Sequence, residues 1–227
     1  MSGLAQIWTV VRKDLLLEWR NRSRILSVVL FGLVTLLLFS FAVGPDSSAL
    51  RGGAAGFLML ALLLSSTLAL AESFRLEQED RALEGLLLVP VGPVGYFYGK
   101  AIASGVMLFL LGPILTPVAL VLYTLDLEPA SIARLLGLWA LASAGLAAPG
   151  TLYAAMTSRL RSQDVLLPLL LFPLLVPVLL AGVKAMDLAL NGDPMQQMRS
   201  WVSLLVVFDV VYWSLCGLLF PHALEEG

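Results

Sequence analysis

Asp209 is the acidic residue set deepest in an apolar stretch of this sequence, the run from Trp201 to Phe220. A charge at the centre of a bilayer costs about 2.5–3.5 kcal/mol on insertion scales, so we expect this carboxyl to face protein or water, or to be protonated. A proton or substrate site is one interpretation. A polar contact between helices is another. A third is a helix boundary that leaves Asp209 nearer the membrane surface, which the adjacent Tyr212 and Trp213 favour.

Other reactive side chains do not form a recognisable catalytic set. The single histidine, His222, follows the last apolar run, where we expect a solvated imidazole at the membrane boundary. Ser65, Ser66 and Thr67 are small residues typical of helix contacts. The sequence lacks the Gly-rich motif ending in Lys-Ser or Lys-Thr that binds phosphate, and its one cysteine, Cys216, excludes a cysteine-cluster metal site. We therefore predict a chain that is not an enzyme, holds no metal and does not hydrolyse ATP itself.

The stretch best suited to binding a partner lies at 72–91, between two strongly apolar regions. Charged residues cannot lie in hydrocarbon, so this stretch must project into water between two membrane spans. Apolar residues recur among the charges, as in a cytosolic helix that docks against another surface. We interpret it as a contact point for a partner. Its charged residues are Glu72, Arg75, Glu77, Glu79, Asp80, Arg81 and Glu84, interspersed with Phe74, Leu76, Leu83, Leu86 and Leu87.

The composition is that of a membrane protein. Of the 227 residues, 59% are hydrophobic and only 13% are charged, and the mean hydropathy is +0.91. Soluble domains are roughly 25% charged. Several uncharged stretches reach the ~20 residues that cross a hydrocarbon core of ~30 Å. The sequence predicts an all-α polytopic membrane protein in which residues 1–227 form a single domain.

Six transmembrane spans are predicted from the uncharged runs. After the first span, Gly44-Pro45-Asp46 ends the helix, and we expect a short loop that continues to Gly52-Gly53. The second helix is expected to extend into the charged stretch, and the chain re-enters the membrane after Pro93. The predicted spans cover residues 25–43, 54–71, 101–125, 135–155, 165–183 and 201–220.

The N-terminal segment has the spacing of an amphipathic helix. Leu4, Trp8, Val11, Leu15 and Trp19 recur at intervals of three and four residues, which places them on one face. Two tryptophans on that face suit the headgroup boundary of a membrane, so we expect the helix to lie along the membrane surface. The alternative is a short soluble helix that packs on the protein itself.

Basic residues predict which side of the membrane each loop faces. Six spans place both termini on one side of the membrane. That side carries ten basic residues and the other side four. Because basic residues are concentrated in cytoplasmic loops, we predict that both termini and the 72–91 stretch are cytoplasmic. The ten are Arg12, Lys13, Arg20, Arg22, Arg24, Arg75, Arg81, Lys100, Arg159 and Arg161, and the four are Arg51, Arg134, Lys184 and Arg199.

Helix-breaking residues recur inside the predicted spans. Each proline removes a backbone donor and bends its helix, which suits a protein that changes shape but also occurs in rigid ones. Gly145 and Gly150, with the alanines around them, let helices approach closely, either between two copies of the chain or within one. The residues that we single out as candidates for conformational change are Pro149, Gly150, Pro168, Pro173 and Pro177.

Taken in order, short motifs along nearly the whole chain resemble the haem exporter protein B family, the membrane subunits of ABC-type complexes for cytochrome c maturation in bacteria and some organelles. Single motifs are weak, but the ordered set is fairly specific. The motifs are Gly44-Pro45-Asp46, LLLSSTLALAESF at 62–74, LEGLLLVP at 83–90, Ala148-Pro149-Gly150, LLPLLLFPLLVPVLL at 166–180 and Ala185-Met186-Asp187.

The resemblance implies a permease of the ABC-2 type with a defined set of partners. These are a soluble ABC ATPase that binds the ATP, a haem-handling membrane subunit and a periplasmic haem chaperone. The chain itself would lie in the bilayer of the bacterial cytoplasmic (inner) membrane, and no nucleic acid is expected as a partner. ATP hydrolysis would then drive haem export or delivery, or release of the chaperone. On this resemblance, haem would be the substrate of the complex, and no cofactor is expected to be bound to this chain. Since Met59, Met107 and Met156 are scattered, energy coupling is favoured over haem ligation.

The same resemblance gives the 72–91 stretch its expected role as a coupling helix that fits the ATPase. Leu83, Leu86 and Leu87 form its apolar edge, while Glu77, Asp80 and Glu84 are the acidic residues available for orientation.

Other functions remain open on the sequence. An ABC-type permease for lipid, polysaccharide or drug would share the six-span plan, and a membrane scaffold could assemble the complex without moving substrate. An intramembrane enzyme would need polar residues that face each other inside the spans, and these are scarce in this chain.

Overall fold

The computed structural model describes residues 3–79, 92–125, 127–158 and 163–225. The described residues form seven α-helices. In chain order they are α1 (Gly3–Arg20), α2 (Arg22–Val43), α3 (Ser47–Glu79), α4 (Pro93–Leu122), α5 (Pro129–Ser158), α6 (Gln163–Asn191) and α7 (Met198–Glu225).

Six of these helices, α2 to α7, are long and apolar enough to cross a membrane. At a rise of 1.5 Å per residue, even the shortest, α2 with 22 residues, extends to about 33 Å, which matches a hydrocarbon core. Each of the six predicted spans falls on one of these helices. The predicted all-α polytopic membrane fold is confirmed.

The loop between the first two spans is shorter than predicted. Gly44 ends α2 with a φ of +78° and donates its backbone N–H to Ser40 O. The Oδ1 atom of Asp46 then accepts hydrogen bonds from the backbone N–H groups of Ser48 and Ala49, at 2.9 and 3.2 Å, and so caps α3. Gly52 and Gly53 therefore lie inside α3, and the expected loop through them is wrong.

The hydrogen bonds that cap α3 also affect the charge of Asp46. The hydroxyl of Ser48 donates to Oδ1 at 2.7 Å, and this bond, with those from the backbone of Ala49 and Ser48, lowers the pKa of Asp46. An ionised carboxylate at this position also suits the positive end of the helix dipole. The cap explains why α3 begins seven residues before the predicted span.

Helices α4 and α7 also begin before their predicted spans, each for an identifiable reason. Pro93 occupies the first position of α4. A backbone N–H at this position makes no hydrogen bond within the helix, so proline, which lacks one, is well tolerated there. Asp193 accepts bonds from the N–H groups of Gln197 and Met198, at 2.8 and 2.9 Å, where α7 begins. At the far end of α4, the helix stops at Leu122, three residues before the predicted boundary.

Two helices, α3 and α5, form the centre of the bundle. The helix α3 contacts α2, α4, α5 and α6, while α5 contacts α3, α4, α6 and α7. Both bury most of their residues, whereas α2, α4, α6 and α7 leave many large apolar side chains exposed. Exposed apolar side chains on outer helices are the surface expected of a protein surrounded by lipid.

The N-terminal helix α1 packs on the protein through one face and exposes apolar residues on another. Val10 and Val11 are buried, whereas Leu4, Trp8 and Trp19 of the predicted stripe are exposed, with Trp8 68% exposed. The stripe is thus split, because α4 packs against α1 on the side of Val10, and Val11 beside it is also buried. The exposed tryptophans support the predicted position of α1 at the membrane surface, which stays a prediction.

The prolines within the spans lie in continuous helices. Pro149 is inside α5, and Pro168, Pro173 and Pro177 are inside α6. Their predicted part in conformational change stays a prediction.

Candidate functional site: a buried charge junction

The helix α1 runs beside the beginning of α4 in the same direction. Gly92, just before α4, donates its N–H to Gln6 Oε1 at 3.4 Å, and Lys100 two turns later pairs with Asp14. Between them, a Cβ at Gly99 would come within 2.5 Å of Val10 Cβ and 3.0 Å of Ile7 O. Glycine at this position therefore allows the two helices to approach closely.

This packing buries the charged residues Asp14 and Lys100. The Lys100 side chain is 2% exposed, and its Nζ lies 3.6 Å from Asp14 Oδ2. The same ammonium lies 4.5 Å from the centre of the Phe74 ring on α3, where a cation–π interaction adds to its stabilisation. Asp14 Oδ1 is also 3.0 Å from the more exposed Lys13 Nζ. Lys100 thus links α1, α3 and α4 through one side chain.

A second buried pair joins α1 to α2 and α3. Arg24, in the first turn of α2, places Nη1 2.7 Å from Glu18 Oε1. Its Nη2 donates a hydrogen bond of 2.5 Å to the carbonyl oxygen of Ala69 on α3. Both side chains are nearly buried, at 10% and 13% exposed. Arg24 therefore fixes the turn between α1 and α2 against the later half of α3.

We call Asp14, Glu18, Arg24 and Lys100 the charge junction. Burial raises the pKa of Glu18, and this effect is larger than the lowering caused by Arg24 and Lys100, while Asp14 raises it further. Charges removed from water gain little net stability from pairing, so a buried junction of this kind is better suited to fixing geometry than to adding stability.

The charge junction contacts both helices that flank residues 80–91. Residues 80–91 connect α3 to α4. On the α3 side of this connection, Arg24 bonds to Ala69 and Lys100 contacts Phe74, and on the α4 side Lys100 itself pairs with Asp14. The junction therefore links α1 to the helices on both sides of 80–91, and no sequence pattern had predicted it.

The predicted coupling residues lie between Phe74 and Lys100 in the chain. Glu77 belongs to the last turn of α3. Asp80, Leu83, Glu84, Leu86 and Leu87 lie outside the described residues. Their contact with a partner stays a prediction.

Asp209 lies apart from the charge junction, near the middle of α7. It is buried, and neither carboxylate oxygen has a hydrogen-bond partner among the described residues. Because Asp209 falls well inside the span at 198–223, a shallow position is disfavoured. A hydrogen-bonded contact between helices is also absent from the described part of the chain.

The small residues of α5 make close contacts within the chain. A Cβ at Gly145 would come within 2.8 Å of Asp209 Oδ1, and one at Gly150 would overlap Leu70 of α3. Packing within one chain therefore explains both glycines. The three methionines considered as haem ligands have different surroundings: Met59 is buried against Gly182, Met107 lines a small cavity beside Glu18, and Met156 is 48% exposed.

Comparison with known proteins identifies the family. A profile of the CcmB protein family matches residues 5–227. The chain belongs to the CcmB protein family. The match includes nearly all of α1, the six spans and the four residues of the charge junction. The predicted family resemblance is confirmed over nearly the whole chain.

Curated relatives of this CcmB family member cover most of its length. Heme exporter protein B of Pseudomonas aeruginosa is 30% identical over 222 residues, which are 96% of this chain and 94% of that protein. The protein of the same name from Shigella flexneri is 33% identical over 83% of this chain and 85% of its own. That of Paracoccus denitrificans is 34% identical, over 81% and 84%.

Proposed function

We propose that this chain is the membrane subunit of an ABC-type complex that exports haem across the bacterial cytoplasmic membrane for cytochrome c maturation. A soluble partner ATPase hydrolyses the ATP, and haem passes to a periplasmic chaperone with the help of a second, haem-handling membrane subunit. This chain transmits the energy. The membership of residues 5–227 in the CcmB family, with relatives named for haem export, is the observation that carries the proposal.

The ATPase docks on the connection between α3 and α4. Burying one leucine contributes roughly 1.5–3 kcal/mol, whereas an exposed ion pair typically gives under ~1 kcal/mol. Leu83, Leu86 and Leu87 therefore supply most of the binding free energy. The acidic residues of the same stretch, Glu77, Asp80 and Glu84, orient the partner.

The charge junction conveys the movement of that connection to the rest of the subunit. A movement of 80–91 displaces the second half of α3 and the first half of α4. Arg24 follows α3 because it binds the Ala69 carbonyl oxygen, and Asp14 follows α4 because it faces Lys100. Since Arg24 also binds Glu18, α1 and α2 move with α3 and α4. Four helices thereby respond together to one ATPase contact.

Reporter fusions test the orientation that this mechanism requires. We expect fusions at Asp46, Glu128 and Asp193 to report a periplasmic location and a fusion at Asp80 to report a cytoplasmic one, because basic residues are concentrated on the side of 72–91. A periplasmic signal at Asp80 would place the connection out of reach of a cytoplasmic ATPase and overturn the mechanism.

Purification of the tagged chain with its partners tests the proposed function. We expect an ABC ATPase and a haem-handling membrane subunit to accompany it. An ATPase without a haem-handling partner would favour an exporter of lipid, polysaccharide or drug. A haem-handling partner without an ATPase would favour a scaffold that moves no substrate.

A further inference from the structure

The contact between α5 and α7 encloses a carboxyl group that takes no part in holding the two helices together. Asp209 is 8% exposed, and neither of its oxygens accepts a hydrogen bond from any described residue. Oδ1 lies against the α-carbon of Gly145, where a Cβ would approach it to 2.8 Å. Val178 of α6 closes the same space, 3.0 Å from that Cβ position. The buried carboxyl therefore lies where α5 and α6 pack against α7, near the apolar side chain of Val178.

Other polar groups hold this contact together. The indole Nε1 of Trp213 donates a hydrogen bond to Ala144 O at 3.0 Å, which joins α7 to α5 one turn after Asp209. The hydroxyl of Tyr98 donates to Trp213 O at 3.3 Å and adds α4. Buried polar side chains with a structural role are normally satisfied in this way. Asp209, in contrast, gains no hydrogen bond from a described residue where α7 packs against α5.

The titratable groups of α5 and α6 lie far from Asp209 along their helices. On α5 the nearest to Gly145 is Tyr153, eight residues on, and on α6 the nearest to Val178 is Lys184, six residues on. At 1.5 Å per residue these are about 12 Å and 9 Å away along the helix axes. Neither has a described hydrogen bond or ion pair with Asp209.

The titratable groups of α4 and of α7 itself are engaged elsewhere. On α4, the Tyr98 hydroxyl is bonded to Trp213 O, and Lys100 belongs to the charge junction. On α7, the Tyr212 ring stacks on Phe208 with 4.0 Å between centres, and the thiol of Cys216 is buried two turns away. No described counter-ion therefore supports an ionised Asp209 in this contact.

We propose that Asp209 is a proton-binding site that is protonated while α7 is closed on α5 and ionises when the two helices separate. In the closed state an ionised carboxylate would be removed from water without compensation, so the neutral acid is the stable form. In the open state water reaches the group, the carboxyl O–H bond breaks and the proton passes to water. Reclosing requires one proton to be taken up again.

Infrared spectroscopy of the purified chain in lipid tests the site directly. We expect a carbonyl stretching band of a protonated carboxyl at neutral pH in the wild-type protein, and loss of that band in Asp209→Asn. The asparagine is of nearly the same size, so folding should be retained. Asp187→Asn on α6 is the matched control, because the Asp187 carboxylate accepts a hydrogen bond from Asn191 at 2.7 Å and should not contribute to the band. An unchanged band in Asp209→Asn would overturn the proposal.

The opening step rests on the proposed transport function and has its own test. In the complex with its ATPase, the wild type should lose ATP-driven turnover several-fold as pH rises, because an ionised Asp209 delays closure. Asp209→Asn, which is permanently neutral, should lack this alkaline fall. The same fall in the variant would overturn the link to turnover. A complex without any ATP-driven turnover would contradict the proposed function instead, and the infrared band would still decide the proton site.

Discussion

Replacing Leu83 with Asp should abolish recovery of the ATPase with this chain while leaving the chain inserted in the membrane. In the proposed docking, Leu83 is one of three leucines that bind the ATPase, and burial of a leucine contributes roughly 1.5–3 kcal/mol. An aspartate in its place would carry a charge into the contact, which costs more than the lost burial. The measurement is the amount of ATPase that co-purifies per inserted chain.

Glu84→Gln is the control for the Leu83 variant. It changes the adjacent residue and removes one charge, but an exposed ion pair typically contributes under ~1 kcal/mol, so ATPase recovery should fall only slightly. The opposing hypothesis is that these leucines pack beneath the membrane surface against α1. Normal ATPase recovery with Leu83→Asp in a stably inserted chain would support that hypothesis.

Replacing Asp14 with Asn should destabilise the protein by about 3 kcal/mol, the lower end of the range for removing one partner of a buried ion pair. The reason is the burial of Lys100, which is 2% exposed and would lose the carboxylate that faces it at 3.6 Å. The lower end applies because Glu18 also attracts this ammonium. Thermal unfolding in detergent, with lower Tm for the variant, is the measurement.

Two further variants separate the charge effect from a simple loss of packing. Combining Asp14→Asn with Lys100→Met removes both charges, so most of the lost stability should return. Glu18→Gln should cost less than Asp14→Asn, since its partner Arg24 keeps the hydrogen bond from Nη2 to the carbonyl oxygen of Ala69. An unchanged Tm for Asp14→Asn, or a double variant as unstable as the single one, would show that the junction is not stabilised by its charges.

The spans could be predicted because hydrocarbon imposes a local rule. A run of about 20 uncharged residues must cross the membrane as a helix whatever its neighbours are. The helix ends depend on finer chemistry. Asp46 starts α3 through its cap, and the prediction wrongly assigned Gly52 and Gly53 to a loop because glycine is also a turn residue.

The charge junction could not be predicted, because the contacts that join α1 and α2 to α3 and α4 connect residues far apart in the chain. Asp14 and Lys100 are 86 positions apart, and each looked like an ordinary charged residue beside a span. One local signal existed. Asp14 follows Val10 by one helical turn and so shares the face of α1 that is buried, whereas Arg12 and Arg20 point outward. The predicted stripe drew attention instead to the adjoining face of α1, where Leu4, Trp8 and Trp19 are exposed.

Asp209 is an intermediate case. Its place in an apolar run showed that the carboxyl needed an explanation, but the sequence left three interpretations open. Only the packing of α7 on Gly145 and Val178 reveals that the group is enclosed and lacks a described hydrogen-bond partner.

Haem delivery by membrane vesicles tests most directly whether this subunit couples ATP hydrolysis to export. Vesicles that contain the complete complex are supplied with haem and ATP on the cytoplasmic face, and haem bound to the periplasmic chaperone is measured on the other. We predict delivery that requires ATP and falls to background when this chain is omitted or carries Leu83→Asp. Delivery that continues unchanged without ATP, or without this chain, would contradict the account.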